Sequence, residues 1–363
     1  MRVVFDQQIF LLQRYGGVSR YFIELFLALS KSPEIDVKII APLHFNKYLS
    51  TLSQNTGFYI PKSTNVFEFN SKLRELSWWL GKKQVSSFSP SIIHETFYSP
   101  IFNSPGAKKI TTVHDLTREI MGSEINKIDN KKKAINDADG IICVSHNTSK
   151  DLMDLYDVPR EKMRVIYVGV SDFFKPLTEN WKQDYVNQKP FILFVGHRDG
   201  YKNCQQLIEA YSQSSFLKKN FSLRFFGGNR LSKNEKVLLS KLGIIDSVEQ
   251  ITGSDYTLLN QYHQASCLVY PSKHEGFGSP IVEALASGCP VFSSNSSALP
   301  ESGGDAAVYF NPSSIEQLKV TLETTLFDSE KLSSMRALGI QHVKKFRWEE
   351  TARQTYDFYK SVL

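Results

Sequence analysis

The sequence predicts an α/β protein with two domains, each built on a parallel β-sheet. Short apolar segments alternate with amphipathic helical segments, which is typical of parallel strands joined by crossover helices. The alternation stops in a polar, proline-containing stretch at residues 171–189 and then restarts, and 363 residues suffice for two separate cores. We therefore predict an N-terminal domain at residues 1–175, a C-terminal domain at residues 176–345 and a final helix at residues 346–363.

The predicted N-terminal domain opens with a strand, a polar loop at residues 7–17 and a helix. The loop ends in Gly16 and Gly17, and the helix reads VSRYFIELFLALSK. Residues 71–85 are also predicted to be helical. The predicted strands read MRVVFD, DVKIIAPL, SIIHET, KKITTVHD, GIICVS and KMRVIYVGV.

The predicted C-terminal domain continues the alternation without repeating the sequence. Its strands read KPFILFVGHR, FSLRFFGG, VEQITG, CLVYPS and PVFSSN, and its helices include NCQQLIEAYSQS, NEKVLLSKLG and YTLLNQYHQA. The segment SALPESGGDAAVYFNP is predicted to be a loop, and residues 314–340 are predicted to be helices. Parallel sheets bind ligands beyond the carboxyl ends of their strands, so we expect a cleft between the two domains to hold the ligand.

The composition is that of a soluble globular protein with a mild positive charge. Apolar residues make up 41% and charged residues 22% of the chain, and the net charge is +6. Basic residues cluster at Lys131–Lys133, Lys82–Lys83 and Lys108–Lys109. A solvated face is the commoner explanation for such clusters, and attraction to an anionic membrane surface is the alternative. No nucleic-acid-binding motif accompanies them.

The four cysteines are scattered and show no metal-binding spacing. Buried thiols in a reducing compartment are the simplest interpretation. The N-terminal MRVVFDQQIF reads as a strand and not as a signal peptide, and no apolar run approaches the length of a membrane span. We therefore expect a cytoplasmic protein, with peripheral membrane contact as an option. The cysteines are Cys143, Cys204, Cys267 and Cys289.

The most informative segment is KHEGFGSPIVEALASGCPV, in which two glutamates flank a glycine-rich turn. Glu275 precedes the turn, and Glu283 lies in the helix that Pro280 is expected to start and Gly288 to end. The free amides at a helix start attract phosphate, and a carboxylate accepts hydrogen bonds from vicinal hydroxyls. The segment therefore suits a diphosphate flanked by two polyols, as in a nucleotide-sugar, although a buried helix with a surface Glu at each end is the simpler explanation.

The complete segment resembles the Glu-x7-Glu signature of the retaining glycosyltransferases of the GT-B fold (group 1). The resemblance implies two Rossmann-like domains facing each other across a cleft, with a C-terminal helix that crosses back to the first domain. It also implies that Glu275 positions the donor sugar, aided by amides of Gly276, Phe277 and Gly278, and that Glu283 binds the ribose hydroxyls of the donor.

Two cations four residues apart follow the predicted strand FILFVG. Arg198 and Lys202 lie in the loop GHRDGYKN, before a helix, where a diphosphate could be neutralised. A pair of surface cations is the ordinary alternative. The position resembles the Arg-x3-Lys pair of the family, and the resemblance implies that both residues hold the donor diphosphate and stabilise it as it leaves.

Further candidates lie in the first domain. Gly16 and Gly17 resemble the first glycine-rich loop of the family, which approaches the donor phosphate or the acceptor. His114 closes the predicted strand TTVHDL, and the string VHDL resembles an HDL motif of relatives that use mannosyl-type donors. The resemblance implies that His114 binds the donor sugar, while Asp115 orients that histidine or caps the next segment. His94 and Glu95 end another strand, and acceptor contact and a structural role are both open for them.

These residues predict a retaining, metal-independent hexosyltransferase that takes a nucleotide-sugar as substrate and has no cofactor. No Asp-x-Asp metal motif stands where a metal-dependent transferase needs one. The resemblance of the VHDL string favours GDP-mannose as the donor, with UDP- and dTDP-sugars as alternatives. The family resemblance implies that the acceptor is a glycan or lipid-linked oligosaccharide of a bacterial surface polysaccharide. A nucleotide-sugar epimerase, a disaccharide phosphorylase and a non-catalytic binding subunit are the competing hypotheses.

Overall fold

The computed structural model divides the chain into two compact units. The N-terminal unit contains Met1–Gly169 together with Trp348–Leu363, and the C-terminal unit contains Val170–Arg347. The structure describes residues 1–52, 57–60, 66–98, 102–122, 125–177 and 189–363.

The N-terminal unit is built on a parallel sheet with the strand order β2-β1-β5-β6-β7-β8, and the pair β3-β4 lies apart from it. The order reverses direction between β1 and β5. The strands are β1 (Arg2–Phe5), β2 (Asp36–Ile39), β3 (Leu43–His44), β4 (Phe58–Tyr59), β5 (Ile92–Glu95), β6 (Lys108–Val113), β7 (Gly140–Cys143) and β8 (Met163–Val165).

Helices cover both faces of this sheet, as expected for parallel strands that are apolar on both sides. Along β1, Val3 and Phe5 join one core cluster while Val4 joins another on the opposite face. The helices are α1 (Gly17–Leu29), α2 (Val66–Phe88), α3 (Thr117–Ile120), α4 (Ile125–Asp137), α5 (His146–Tyr156) and, at the end of the chain, α14 (Trp348–Val362).

The last helix belongs to the N-terminal unit. It buries Trp348, Ala352, Phe358 and Tyr359 in the same core cluster as Phe22 of α1. The buried positions recur every three to four residues, so one apolar stripe of α14 packs on α1 and the sheet.

The C-terminal unit has the strand order β11-β10-β9-β12-β13-β14, and all the pairings are parallel. This is the doubly wound Rossmann order, in which the order reverses direction between β9 and β12. Its strands are β9 (Phe191–Val195), β10 (Ser222–Phe226), β11 (Val248–Ile251), β12 (Cys267–Tyr270), β13 (Val291–Ser294) and β14 (Ala307–Phe310). The prediction of an α/β fold with parallel sheets in two units is confirmed.

The helices of this unit again lie on both faces of the sheet. Ile192 and Phe194 of β9 pack in one cluster, and Phe191, Leu193 and Val195 pack in the other. The helices are α6 (Cys204–Gln213), α7 (Ser215–Asn220), α8 (Lys233–Lys241), α9 (Asp255–Gln264), α10 (Ser279–Ala286), α11 (Leu299–Gly303), α12 (Ile315–Leu326) and α13 (Ser329–His342).

Three sequence-based predictions were wrong in detail. The predicted loop SALPESGGDAAVYFNP contains the helix α11 and the edge strand β14, which a glycine-rich composition conceals. The predicted polar loop at residues 7–17 contains a 3-10 turn, Ile9–Leu11, with three buried apolar side chains. The third concerns the basic cluster Lys131–Lys133, because Lys131 is buried, with its Nζ 2.7 Å from Glu119 Oε1 and 3.0 Å from the Asp115 carbonyl oxygen.

Among the helices of the described ranges, none combines the length and the apolar character needed to cross a bilayer.

Candidate functional site

The candidate site of the C-terminal unit lies where the strand order reverses. The loop after β9 and the loop after β12 leave the same edge of the sheet, because β9 and β12 are parallel neighbours. Crevices at such reversal points are the usual ligand sites of doubly wound sheets, because the flanking loops diverge to opposite faces. The first loop carries Arg198 and Lys202, and the second carries Glu275.

Lys202, Tyr270 and Glu275 form a compact hydrogen-bonded triad. The Lys202 Nζ lies 2.6 Å from Glu275 Oε1 and donates to the Tyr270 hydroxyl at 2.8 Å. The Tyr270 hydroxyl donates to the same Glu275 oxygen at 3.0 Å. The side chains of Lys202 and Glu275 are only 15% and 12% exposed, so their charges are little screened by water. Burial, followed by the Glu275 charge, raises the pKa of Tyr270, which keeps its phenol protonated.

Hydrogen bonds to backbone groups connect the two loops and anchor Glu275. The Lys273 amide donates to the Tyr201 carbonyl at 2.8 Å, and the Glu275 amide donates to the Ser297 hydroxyl at 2.8 Å. Asn203 has a positive φ of 56° and its Nδ2 donates to the Pro271 carbonyl at 3.1 Å. The Glu275 carboxylate and the Lys202 ammonium are therefore held in place through both loops, the one after β12 and the one after β9.

The glycine-rich turn leads into α10 as the sequence suggests. Gly278 is the N-cap, with φ 93°, and an added Cβ would lie 2.7 Å from Leu299 Cδ2, so the position requires glycine. The helix begins at Ser279, which makes Pro280 its second residue and not its first. The Phe277 ring is buried, and the Ser302 hydroxyl donates to the Phe277 carbonyl, so the turn is anchored from below.

Arg198 is held by a carboxylate that the sequence analysis did not identify. Its Nε lies 2.6 Å from Glu235 Oε1, and its Nη2 donates to the Asn229 carbonyl at 2.7 Å. Burial by itself would raise the pKa of Glu235, but hydrogen bonds from Arg198 and from Ser232 outweigh it and lower that pKa to about 2. The Arg198 side chain is 7% exposed, so it is as much a link between the loop after β9 and α8 as a candidate phosphate ligand.

Glu283 lies on α10, next in sequence to residues of that helix that are buried. Its Oε2 accepts a hydrogen bond from the Tyr262 hydroxyl at 3.1 Å, and the residue is half-buried. Its neighbours Val282 and Ala284 are buried, which fixes the helix face that carries it. The pairing with Tyr262 of α9 was not predicted from the sequence.

Gly16 and Gly17 start α1 in the N-terminal unit. Gly16 is the N-cap and Gly17 the first helical residue. The Gln13 side chain folds over this turn, because its Oε1 accepts a hydrogen bond from the Ser19 amide at 3.0 Å and lies 2.2 Å from where a Gly16 Cβ would be. Nothing lies within 4 Å of a Cβ added to Gly17, so that position is open.

His114 follows β6 in a largely apolar environment. Its ring packs edge-on against Tyr21 with the centroids 4.9 Å apart, and burial lowers its pKa to about 4, so the imidazole is neutral at pH 7. Its Nε2 is buried and has no hydrogen-bond partner in the part of the chain that the structure describes. Asp115 does not need to orient it, since Asp115 Oδ1 accepts from the Thr117 amide at 3.0 Å, at the start of α3.

His94 and Glu95 end β5 but face opposite sides of the sheet. The His94 ring nitrogens contact the Tyr359 hydroxyl at 2.5 Å and the Thr112 hydroxyl at 2.8 Å, so this residue is part of the packing between the sheet and α14. Burial lowers its pKa to about 3. Glu95 is 2% exposed, and its Oε1 accepts no hydrogen bond from any residue in the described ranges.

The structure therefore brings Lys202 into direct contact with Glu275, and it gives Arg198 and Glu283 separate partners. Within the described part of the chain, no cluster of three or more His, Cys, Asp or Glu side chains is arranged to hold a metal ion. Tyr270 was not identified from the sequence, although its position at the end of a buried strand, five residues before Glu275, could have indicated it. The sequence near Glu235 and Tyr262 did not indicate that either residue contacts a candidate site residue.

Comparisons with known proteins agree with this architecture. A family model described as "Glycosyl transferases group 1" matches residues 178–342, and one described as "Glycosyltransferase Family 4" matches residues 15–172. Together they cover most of both units.

Among curated proteins, the chain is similar to several mannosyltransferases. It is 26% identical to the serotype-specific mannosyltransferase WbdA of Escherichia coli over 245 residues, which are 64% of this chain and 30% of WbdA. The chain thus spans less than a third of that relative. It is 25% identical to the O-antigen chain mannosyltransferase RfbU of Salmonella typhimurium over 319 residues, covering 82% of this chain and 83% of RfbU.

Among solved structures, the fold matches that of Anabaena Alr3699/HepE, crystallised in complex with UDP-glucose. The TM-score is 0.75 at 16% identity, over 99% of this chain and 100% of HepE. On these matches and on its two parallel-sheet units, the chain is a glycosyltransferase-family protein of the GT-B fold, whose C-terminal unit matches the group 1 model and whose N-terminal unit matches the Family 4 model.

Proposed function

We propose that this protein transfers a hexose, with mannose favoured, from a nucleoside-diphosphate sugar to a glycan or lipid-linked glycan acceptor in bacterial surface polysaccharide synthesis. The observation that carries the proposal is the buried triad of Lys202, Tyr270 and Glu275 at the sheet reversal. The similarity to the mannosyltransferases WbdA and RfbU supports a mannosyl donor, and the UDP-glucose complex of HepE supports a nucleotide-sugar. Four free, buried cysteines favour a cytoplasmic reaction.

The roles follow from charge and position. Lys202 would contact the diphosphate while it holds Glu275, and Glu275 would then accept hydrogen bonds from the donor sugar hydroxyls. Glu283 would accept from the ribose, and Arg198 would add positive charge beside the phosphates. The amides of the Gly276–Gly278 turn complete this proposed donor site at the start of α10.

The proposed reaction retains the anomeric configuration. The bond between the sugar anomeric carbon and the phosphate oxygen breaks as the bond to the acceptor oxygen forms on the same face, and the acceptor proton passes to the departing phosphate. Lys202 and Arg198 would stabilise the negative charge that develops on that phosphate, which makes a metal ion unnecessary. In the N-terminal unit, Gly16, Gly17 and the neutral His114 would contact the acceptor or the donor sugar.

A donor screen tests this function directly. We expect GDP-mannose, among GDP-, UDP- and dTDP-sugars, to raise the melting temperature most, since a ligand that binds only the native state stabilises it by mass action. Addition of a lipid-linked or soluble glycan acceptor should then release the nucleoside diphosphate, also with EDTA present, and proton NMR should show the donor anomeric configuration in the product. Turnover without acceptor to an epimer, turnover that needs phosphate and a disaccharide, or binding without turnover would each contradict the proposal.

Replacing Tyr270 by phenylalanine should lower kcat about 10-fold, because two hydrogen bonds to charged groups are lost while the ring remains. We expect the KM for the donor to change by less than about 3-fold, since the phenol acts by positioning Lys202 and Glu275. Steady-state kinetics would measure the split.

Tyr211→Phe is the matched control for this variant. Tyr211 is buried in the same unit, and its hydroxyl donates to the Phe221 carbonyl at 2.9 Å, away from the site. Both variants should lower the melting temperature, but only Tyr270→Phe should lower kcat. Equal kcat values for the two would show that the Tyr270 hydroxyl is structural.

A further inference from the structure

An exposed aromatic and basic surface lies on α2, and none of the candidate site residues lines it. Leu76, Trp78 and Trp79 are 48%, 40% and 50% exposed, which is unusual for three large apolar side chains within one helical turn. A shallow groove of about 420 Å³ is lined by Trp78, Trp79, Lys82, Lys83 and Ser86. We call these five residues the α2 surface.

The opposite face of α2 packs on the core, so the α2 surface faces away from the core. Ser77, Gly81, Val85 and Phe88 are buried at intervals of three or four residues, which is the stripe expected of a packed helix. A Cβ added to Gly81 would lie 2.5 Å from Phe102 Cζ, so only glycine allows the helix to approach the core this closely. Rotation of the tryptophans into the core would break this packing.

A lysine from the next turn of the helix lies over the ring of each tryptophan. The Lys83 Nζ lies 3.7 Å from the Trp79 ring centroid, and the Lys82 Nζ lies 5.4 Å from the Trp78 centroid. Ring faces occupied by ammonium groups make poor platforms for stacking a sugar ring. Amphipathic rings beside cations on long apolar stems suit a different environment, in which an apolar phase meets a layer of negative charge.

We propose that the α2 surface binds an anionic lipid bilayer. Trp78 and Trp79 would enter the boundary between headgroups and acyl chains, and Lys82 and Lys83 would contact lipid phosphates. The charge of the surface favours this occupant, since its two lysines have no acidic residue among the five. The proposal does not depend on the glycosyl transfer proposed above, and it assigns the membrane-facing role to Lys82–Lys83 and not to Lys131, which is buried in an ion pair.

Cosedimentation of the full chain with vesicles tests the proposal. We expect binding to phosphatidylcholine vesicles that contain about one third phosphatidylglycerol, and much weaker binding to phosphatidylcholine alone. Binding should weaken as NaCl rises from about 0.05 to about 0.5 M, because salt screens the lysines. Lys82→Glu/Lys83→Glu and Trp78→Ala/Trp79→Ala should each lower the partition coefficient at least about 10-fold.

Two controls separate docking from misfolding and from charge in general. Lys218→Glu/Lys219→Glu reverses a second pair of adjacent exposed lysines, on α7, and should leave partitioning within about 2-fold of the unmodified chain. Trp78→Phe/Trp79→Phe should remove the blue shift of tryptophan emission on vesicle addition while the melting temperature stays unchanged.

Several results would overturn the proposal. They are equal partitioning of the α2 and α7 lysine variants, equal binding to neutral and anionic vesicles, and a persistent blue shift in the phenylalanine variant. Binding of the surface to an acidic protein or to an anionic glycan with no affinity for vesicles would also contradict it.

Discussion

Lys202→Ala and Glu275→Gln are each expected to lower kcat by about 100-fold or more, as observed when a charge that stabilises a transition state is removed. The two side chains share one short ion pair, 2.6 Å long and largely shielded from water. In the proposed mechanism, loss of the ammonium would remove a fixed positive charge from the departing phosphate and would leave Glu275 as a buried carboxylate without its ion pair. Loss of the carboxylate charge would leave the donor sugar with only a neutral hydrogen-bond acceptor, and Lys202 would lose the ion pair that holds it.

The double variant distinguishes a shared role from two independent ones. Because Lys202 and Glu275 act through one contact, the loss in Lys202→Ala/Glu275→Gln should be far smaller than the product of the two single losses. Lys241→Ala removes the same charge from the exposed end of α8 and serves as the control, with kcat within about 2-fold of the unmodified chain. A single variant with full activity, measured as nucleoside diphosphate released with acceptor, would remove that residue from the mechanism.

Short-range sequence patterns predicted the parts of the site that depend on chain geometry. The spacing between Glu275 and Glu283 contains a glycine-rich turn and a helix start, and the structure has Gly278 at φ 93° followed by α10. Likewise, a cation placed after β9 and a carboxylate placed after β12 must lie at one edge of the sheet once both strands are parallel neighbours. The contact between Lys202 and Glu275 follows from that topology.

The partners of the other candidate residues could not be predicted, because they depend on packing between distant segments. Arg198 pairs with Glu235, 37 residues later, and Glu283 pairs with Tyr262 on another helix. In the structure Glu235 also forms a capping box with Ser232 at the start of α8. A residue that satisfies a local pattern so well gives no hint of a second, long-range role.

Burial of charged residues was the other feature that the sequence could not provide. Lys131 heads a run of three lysines that reads as a solvated face, yet it is 7% exposed and its ammonium lies 4.9 Å from the Tyr98 ring centroid. Its neighbours Lys132 and Lys133 are exposed. On a helix, adjacent residues point in different directions, so a run of like charges does not predict which member faces the core.

Glu95→Gln is expected to stabilise the N-terminal unit at pH 7. Glu95 is 2% exposed, and neither its Oε1 nor the hydroxyl of Thr111, its neighbour across the β5–β6 pair, has a hydrogen-bond partner among the described residues. Burial, followed by the nearby charge of Asp6, raises the pKa of Glu95 to about 8, well above the usual range of a glutamate. At pH 7 the folded chain therefore holds a proton that the unfolded chain releases.

The sign of the pH dependence follows from this difference. Because the folded state binds the extra proton, the free energy of unfolding falls as pH rises from about 4.5 to about 8, by about 1.4 kcal/mol per pH unit from this group. Between pH 5 and pH 7.5 the loss amounts to about 3 kcal/mol, and glutamine, which does not titrate, should abolish it. At pH 7 we expect the free energy of unfolding of Glu95→Gln to exceed that of the unmodified chain by about 2 kcal/mol. The gain is smaller than the full effect of removing the titrating group, because the N–H donors of the glutamine amide need partners in a site that holds a protonated carboxyl.

Urea unfolding of both proteins at pH 5 and pH 7.5, followed through the transition of the N-terminal unit, measures this effect. The difference in free energy of unfolding between Glu95→Gln and the unmodified chain should grow with pH. Glu75→Gln makes the same chemical change at an exposed position on α2 and should alter stability by less than about 0.5 kcal/mol at either pH. If the two variants behave alike, the Glu95 carboxyl is solvated in the native protein and burial does not control its protonation. If only Glu95→Gln flattens the pH profile of stability, the end of β5 carries a neutral carboxylic acid at pH 7. Such an acid is able to donate a hydrogen bond, whereas an ionised glutamate could only accept one.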